Sequence, residues 1–245
     1  MKILVCISNV PDTTSKITFS ADNRSFNQTG IQYIINPYDE IALARALDLA
    51  EGGKGTVTVI SVGEASIDPT IRKALAAGAD DAVRIDAAPK DARFVAKQIA
   101  HYAKDQGYDL ILTGRESIDY NGAQVAAILG ELLALPSISI AKKIDLTDNT
   151  LTVEREIEGG KEVLSLPTPA VIGTAEGVAI AKIPNMRGIM SARTKPLTVL
   201  AAEEISSLSE IIAYETPAPR GKVTLVDPGN VSQLVDLLHT QAKVI

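Results

Sequence analysis

Between Asp109 and Ala127 the sequence reads DLILTGRESIDYNGAQVAA, the stretch whose residue types and spacing best suit holding a phosphate. Leu110, Ile111 and Leu112 form a short apolar run of the kind that makes a buried strand, and Gly114 ends it. Ile118–Ala123 is a polar turn, after which Gln124, Val125, Ala126, Ala127, Ile128 and Leu129 open a helical segment. The first turn of a helix carries unpaired N–H groups and a partial positive charge. Gly122 lets backbone come close to a ligand. In an open α/β sheet, ligands bind past the carboxyl ends of the strands, where such loops lead into helices. The same segment also reads as an ordinary strand-to-helix connection.

Other candidates for chemistry are weaker. His101 and His239 fall on separate helical segments and read as solvated helix faces. Cys6 sits mid-strand between Val5 and Ile7, the place of a small buried apolar side chain rather than a nucleophile. Glu154 and Glu156 alternate along a strand and so share a face, which fits the wet side of a hairpin better than an acid/base pair. No His or Cys cluster has metal-ligand spacing. Met186 and Met190 lie in a stretch without period and read either as an adaptable contact surface or as core. With no nucleophile, base or metal set in view, the chain is expected to bind or carry something rather than transform it.

The elements that must position the 109–127 segment alternate. Lys2–Ile7 is an apolar strand. Val10–Thr14 reads as a turn, and Lys16–Phe19 and Gln32–Ile35 as the arms of a hairpin excursion. Asn36 is a good N-cap, Pro37 suits the first helical position, and Asp39 and Glu40 oppose the dipole, so a helix should run from there to Gly52-Gly53. Thr56–Val62 is a strand, Asp68–Ala77 a helix stopped by Gly78, Ala82–Ile85 a strand, and Asp91–Gln106 an amphipathic helix. The helix after Gly122 should end near Leu135-Pro136, and Ser137–Ile140 is a further strand. This order predicts a parallel sheet with helices on both faces. No G-x-G-x-x-G follows the first strand, so the usual dinucleotide fingerprint is absent.

Beyond Ala141 the rhythm changes. Ile144–Leu146, Leu151–Ile157 and Lys161–Leu166, separated by Thr147–Thr150 and Glu158-Gly159-Gly160, predict a β-meander. Ala170–Thr174 is a short strand, and Ala175–Pro196 a long loop. Tyr214–Arg220, with Pro217 and Pro219, reads as an extended arm, and Asp227–Lys243 as a helix capped at Asn230. The expected division is an α/β nucleotide-binding domain over 1–200 and, over 201–245, an arm and helix that pack on a partner.

Composition narrows the classes. Apolar residues make up 46% of the 245 and charged ones 22%, which excludes a disordered chain. A net charge of −6 argues against a nucleic-acid partner. No apolar run reaches the roughly 18 residues of a membrane span, and the N-terminus reads as a strand rather than a signal peptide. A single cysteine fits the cytoplasm.

Several short landmarks, in this order and spacing, resemble the β subunit of electron-transfer flavoproteins. They are Val5-Cys6-Ile7 with Val10–Thr14, Asn36–Glu40, Ala74–Asp80, Gly114–Asp119, Val153–Gly160 and Pro184–Lys195. The resemblance implies a Rossmann-like fold of the adenine-nucleotide α-hydrolase type and a heterodimer whose α subunit holds most of a redox-active FAD. In this subunit it implies a structural AMP, or a second FAD in electron-bifurcating members. Carried over by position, the nucleotide would contact Cys6, Asn36, Pro37, Tyr38, Asp39, Val62, Asp119, Tyr120, Asn121, Gly122, Ala123, Gln124, Val125 and Ala126. The loop departs from the family pattern. Tyr120 stands where many members have Gly, and Ala126-Ala127 where they have Gly-Pro. The bulk of Tyr120 favours AMP over a full dinucleotide.

The resemblance further implies that Ala179–Lys195 is a recognition loop for acyl-CoA dehydrogenases of fatty acid oxidation, with Met186 as an apolar anchor and Ile183, Pro184, Ile189 and Met190 around it. Electrons would pass to a membrane quinone oxidoreductase without this chain entering the membrane. Thr13 stands where some members place a Tyr beside the α-subunit flavin. A stand-alone nucleotide-binding sensor of related fold is the reading from a different class.

Overall fold

Side-chain alternation along the first strand decides the layering. In a computed structural model that describes residues 1–245, Ile3, Val5 and Ile7 point to one face of the sheet, and Leu4 and Cys6 to the other. All five are buried, which explains why the strand reads as an unbroken apolar run. This strand, β1 (Lys2–Cys6), lies centrally in a nine-stranded sheet. On one side come β4 (Thr56–Val62), β5 (Asp81–Asp86) and the edge strand β11 (Leu197–Ala201). On the other come β6 (Leu110–Gly114), β10 (Ala170–Thr174), β7 (Ser137–Thr147), β8 (Thr150–Ile157) and β9 (Gly160–Pro167). From β11 to β7 every pairing is parallel, and β7–β8–β9 is an antiparallel meander.

Helices cover both faces, as the strand–helix alternation requires. One apolar core joins Ile3, Val5, Val57, Val59, Leu110 and Leu112 to α1 (Pro37–Ala50) and α2 (Asp68–Ala77). A second joins Leu4, Cys6, Ile60, Val83 and Ile111 to α3 (Ala92–Ala103) and α4 (Val125–Leu133). The meander extends the first core through Ile144, Leu151, Val153 and Leu166. Its other face is wet: Glu154 pairs with Lys161 at 2.9 Å and Glu156 with Lys142 at 3.2 Å, so the two glutamates are ion-pair partners on a hairpin surface. Both hairpin loops have two residues, with Asp148 and Gly159 at positive φ.

The structure differs from the sequence reading in five places. The partner of β3 (Tyr33–Ile35) is β2 (Asn9–Pro11), not Lys16–Phe19. Ile17 is nearly half exposed, so the alternation at 16–19 has no core to face, and only a Phe19–Phe26 bridge forms there. Val10-Pro11 therefore belongs to a strand, and the turn follows at Asp12, which accepts from Thr14 N at 2.8 Å. Ser137–Ile140 and Ile144–Leu146 are one strand of 11 residues, because Ile140 at φ 60° absorbs a register shift without ending it. Within the 175–196 loop a short helix, α5 (Met186–Ala192), forms. Asn185 caps it by accepting from Gly188 N at 2.8 Å, and seven residues are too few to display a helical period. Finally, Leu197–Ala201 pairs with β5 as the sheet edge, so regular structure reaches Ala201.

Residues 202–230 contain no helix or strand, and the chain ends in α6 (Val231–Leu237), capped by Asn230 as expected, and a wider turn over Leu238–Ala242. No helix is long and apolar enough to cross a membrane.

Candidate functional site

The chain starts at β1, steps outward through β4 and β5, then returns to the other side of β1 as β6. Between β1 and β6 the winding reverses, the point at which the loops leaving the carboxyl ends of such sheets part to form a crevice. Cys6 ends β1, Val62 ends β4, Asn36–Asp39 start α1, and Asp119–Ala126 lead from β6 into α4. The structure therefore brings all fourteen nucleotide candidates to the carboxyl ends of three adjacent strands.

The floor is rigid because its polar groups bond to one another. Asn36 is fully buried, and its side chain does not cap α1 as an N-cap would. Instead Nδ2 donates to Glu116 O at 2.8 Å, and Oδ1 accepts from Ile118 N at 3.2 Å, pinning the loop after β6. Asp39 is equally committed. Its Oδ2 accepts from Ser8 N at 2.7 Å and its Oδ1 from Gly114 N at 2.9 Å, tying the ends of β1 and β6 to the first turn of α1. Burial pushes the Asp39 carboxyl up to about 7, against the downward pull of those backbone donors. Burial, with Asp39 as a smaller cause, also raises the Cys6 thiol, which keeps it an inert packing group. Gly114 makes this closeness possible: a Cβ there would overlap Asp39 Oδ1 and stand 2.7 Å from Tyr38 Cβ. Tyr38 in turn holds its ring 5.5 Å from the Arg115 guanidinium, and its carbonyl accepts from Thr174 Oγ1 at 3.3 Å.

The rim is open. Asp119–Gln124 are exposed, Asn121 and Ala123 both adopt φ near +51°, and a Cβ at Gly122 would meet nothing within 4 Å. Backbone N–H groups from Gly122 to Ala127 have no acceptor in the chain, while Ile128 N bonds to Gln124 O at 3.0 Å as the helical ladder begins. Unpaired donors at the start of a helix are of the kind that suit an anion, and Cys6 and Val62, at the ends of β1 and β4, are apolar.

Ile183, Pro184, Met186, Ile189 and Met190 lie elsewhere. Ile183 and Pro184 lie beside the end of α2 at Gly78, which precedes β5 and so marks the amino ends of the strands, and Met186, Ile189 and Met190 are exposed on α5, which packs on α2. Arg72 Nη1 donates to Ala192 O at 2.8 Å and to Lys195 O at 2.7 Å, and Lys195 Nζ donates to Leu75 O at 3.0 Å. These bonds hold α5 while Ile183 remains 93% and Met186 73% exposed. The histidines are surface groups, with His101 Nε2 3.2 Å from Glu203.

A family profile described as the electron transfer flavoprotein domain matches residues 24–205. The chain belongs to the electron transfer flavoprotein subunit beta family. It is 33% identical to "Electron transfer flavoprotein subunit beta" of Bacillus subtilis and 30% identical to that of Bradyrhizobium diazoefficiens, with both chains covered in full. It is 32% identical to "Electron transfer flavoprotein subunit beta, mitochondrial" of Oryza sativa subsp. japonica, again over the full length of both. The doubly wound sheet is consistent with that family. Sequence reasoning missed the use of Asn36 and Asp39 as ties to the 114–118 backbone. A polar residue ahead of Pro37 reads as a cap whichever amides it serves, so no local signal distinguishes the two roles.

Proposed function

We propose that this chain is the β subunit of a heterodimeric electron carrier, with a structural AMP in the β1–β6 crevice and the redox-active FAD held mainly by an α subunit. The supporting observation is the acceptor-free run of N–H groups from Gly122 to Ala127 above a buried floor. One phosphate group can satisfy several of these donors, and the partial charge of the α4 N-terminus adds to the attraction. Gly122, Ala123, Gln124, Val125 and Ala126 would take the phosphate by their backbone N–H groups, and Asn121, whose own N–H is bonded to Ser117 O, would shape the turn that presents them. Cys6, Pro37, Tyr38 and Val62 would line the remainder, and Asn36 and Asp39 would hold the loops that do so. Asp119 and Tyr120 would bound the outer end.

Bound to the native state alone, AMP stabilises by mass action and need not react. The flavin, when bound, supplies the reversible uptake of electrons; no group of this chain transforms a substrate. The apolar side chains exposed on the arm and the last helix, Leu208, Ile212, Leu225 and Leu234 among them, would pack on the α subunit. The separate surface around Met186 would dock acyl-CoA dehydrogenases, and the loaded heterodimer would deliver electrons to a quinone oxidoreductase. A reducing cytoplasm suits the single buried Cys6.

Nucleotides released by acid from the purified heterodimer test the reading. One FAD and one AMP per heterodimer is the expected result. Two FAD would make this a bifurcating subunit, and a chain that runs as a monomer by light scattering would make it a stand-alone nucleotide-binding sensor; either overturns the proposal.

A further inference from the structure

Among the asparagines of the chain, Asn121 alone is followed by glycine. The pair lies on the rim loop between β6 and α4, and both residues are exposed. Asn121 adopts φ 51°, a left-handed conformation that asparagine tolerates better than most side chains. Gly122 N has no acceptor in the chain, and a Cβ at Gly122 would meet nothing within 4 Å. Within 119–124 the single backbone hydrogen bond donated is that of Asn121 N to Ser117 O, at 2.8 Å.

These are the conditions for a reaction inside one dipeptide. The Gly122 nitrogen can reach Asn121 Cγ because glycine has no side chain to block the approach and the loop has room to turn. A bond forms between that nitrogen and Cγ, the Cγ–Nδ2 bond breaks, and the side-chain nitrogen leaves as ammonia with the amide proton. Water then opens the five-membered imide at either carbonyl, giving aspartate or isoaspartate. Water is the sole co-reactant. Other asparagines are placed differently. Asn36 precedes Pro37, whose nitrogen carries no proton. The side chains of Asn185 and Asn230 are engaged as helix caps, accepting from Gly188 N and Gln233 N.

We propose that Asn121 is a deamidation site whose conversion a bound nucleotide suppresses. The site stands on the geometry of the rim, and the suppression rests on the adenylate reading of the crevice. A phosphate that accepts from Gly122 N occupies the attacking group and holds the loop in place. The product opposes rebinding in two ways. A carboxylate at 121 repels an anion, and isoaspartate adds a carbon to the backbone that presents the N–H groups. A subunit left without its nucleotide thus loses the means to hold it.

The test uses the FAD-containing heterodimer in mildly alkaline buffer, with its AMP removed or with AMP in excess. Peptide mass spectrometry reads conversion at each asparagine. Without AMP, Asn121 is expected to convert ahead of every other. AMP at about 100 times its Kd leaves about 1% of crevices empty and should slow conversion roughly 100-fold. Gly122→Ala places a methyl beside the attacking nitrogen and should slow the AMP-free reaction at least about tenfold. Asn121→Asp should release labelled AMP about tenfold faster than the parent, the scale of one charge repelling another across the loop, with FAD content unchanged. No preferential conversion at Asn121 without AMP overturns the inference and leaves the adenylate reading standing. So does equal conversion with and without AMP in a heterodimer that retains labelled AMP. Parental conversion in Gly122→Ala overturns the route through the Gly122 nitrogen, and parental release from Asn121→Asp overturns the loss of affinity. A heterodimer that takes up no AMP overturns both the suppression and the adenylate reading.

Discussion

Asp39 Oδ1 accepts a hydrogen bond from Gly114 N across 2.9 Å, joining residues 75 apart in sequence at the point where the sheet's winding reverses. The other oxygen of the same carboxyl accepts from Ser8 N at 2.7 Å. One side chain thus sets the width of the crevice floor, and the rim above inherits its geometry.

Replacing Asp39 by Asn leaves one acceptor oxygen for two amide donors. The expected loss is about 1–3 kcal/mol, the cost of one buried N–H left without a partner. The pH dependence has a definite sign. Burial holds the folded Asp39 at about 7, above the roughly 4 of an unfolded aspartate. Between those values the folded chain keeps a proton that the unfolded chain has released. This group's contribution is therefore greatest at the acid side and is lost as pH rises through that window. Unfolding of the parent and Asp39→Asn at pH 5 and pH 8 should show a steeper fall with pH in the parent. Parallel slopes would refute the assignment.

Gly114→Ala should damage the crevice without touching either apolar core. The new methyl overlaps Asp39 Oδ1, which the bonds to Gly114 N and Ser8 N hold in place, and it crowds Tyr38 Cβ and Asp39 N, which move only with the backbone. The start of α1 must move away from β6, costing about 1–3 kcal/mol as overpacking does. AMP retention should fall more than stability suggests, because the loop pinned by Asn36 moves with α1. Gly122→Ala supplies the contrast: the added Cβ meets nothing, so stability should change by less than about 0.5 kcal/mol.

Arg84 should prove structural. It is buried on β5, donates to Gly63 O at 2.9 Å, and pairs with Asp68 at 2.8 Å and with Asp86. Fully buried pairs lose about 3–5 kcal/mol when one partner goes. Here Asp68 and Asp86 are 38% and 54% exposed and can turn to water, so Arg84→Met should cost about 1–3 kcal/mol in urea unfolding. A larger loss would mean that the carboxylates cannot rehydrate.

How much of this was legible in the sequence follows from the range of the interactions. The strands and helices of the first 140 residues were readable because burial on both faces prints unbroken apolar runs such as Leu110–Leu112, and Gly and Pro punctuate them. The crevice was readable in outline, since a loop entering a helix after a buried strand occupies a fixed place in such a sheet. What escaped depended on partners distant in sequence. Asn9–Pro11 pairs with Tyr33–Ile35 across an excursion that carries its own misleading alternation. Leu197–Ala201 becomes a strand only because β5 offers an edge. Asn36 and Asp39 carry helix-start chemistry in their types and serve amides some 80 residues away.

The surface around Met186 separates docking from folding. Met186→Ala removes an exposed side chain, so unfolding should shift by less than about 0.5 kcal/mol. Electron transfer from an acyl-CoA dehydrogenase at limiting concentration should nevertheless drop about tenfold if the methionine seats in a partner pocket. Gly188→Ala should act differently. A Cβ at Gly188 would overlap the Ala76 carbonyl oxygen, so α5 must lift from α2, and the Arg72 and Lys195 bonds that hold it must stretch. Both stability and transfer should fall, with the methionine itself intact. Unchanged transfer in Met186→Ala, measured beside a clear loss in Gly188→Ala, would move the docking role from that side chain to the rest of α5. Unchanged transfer in both would remove it from this face of the subunit altogether.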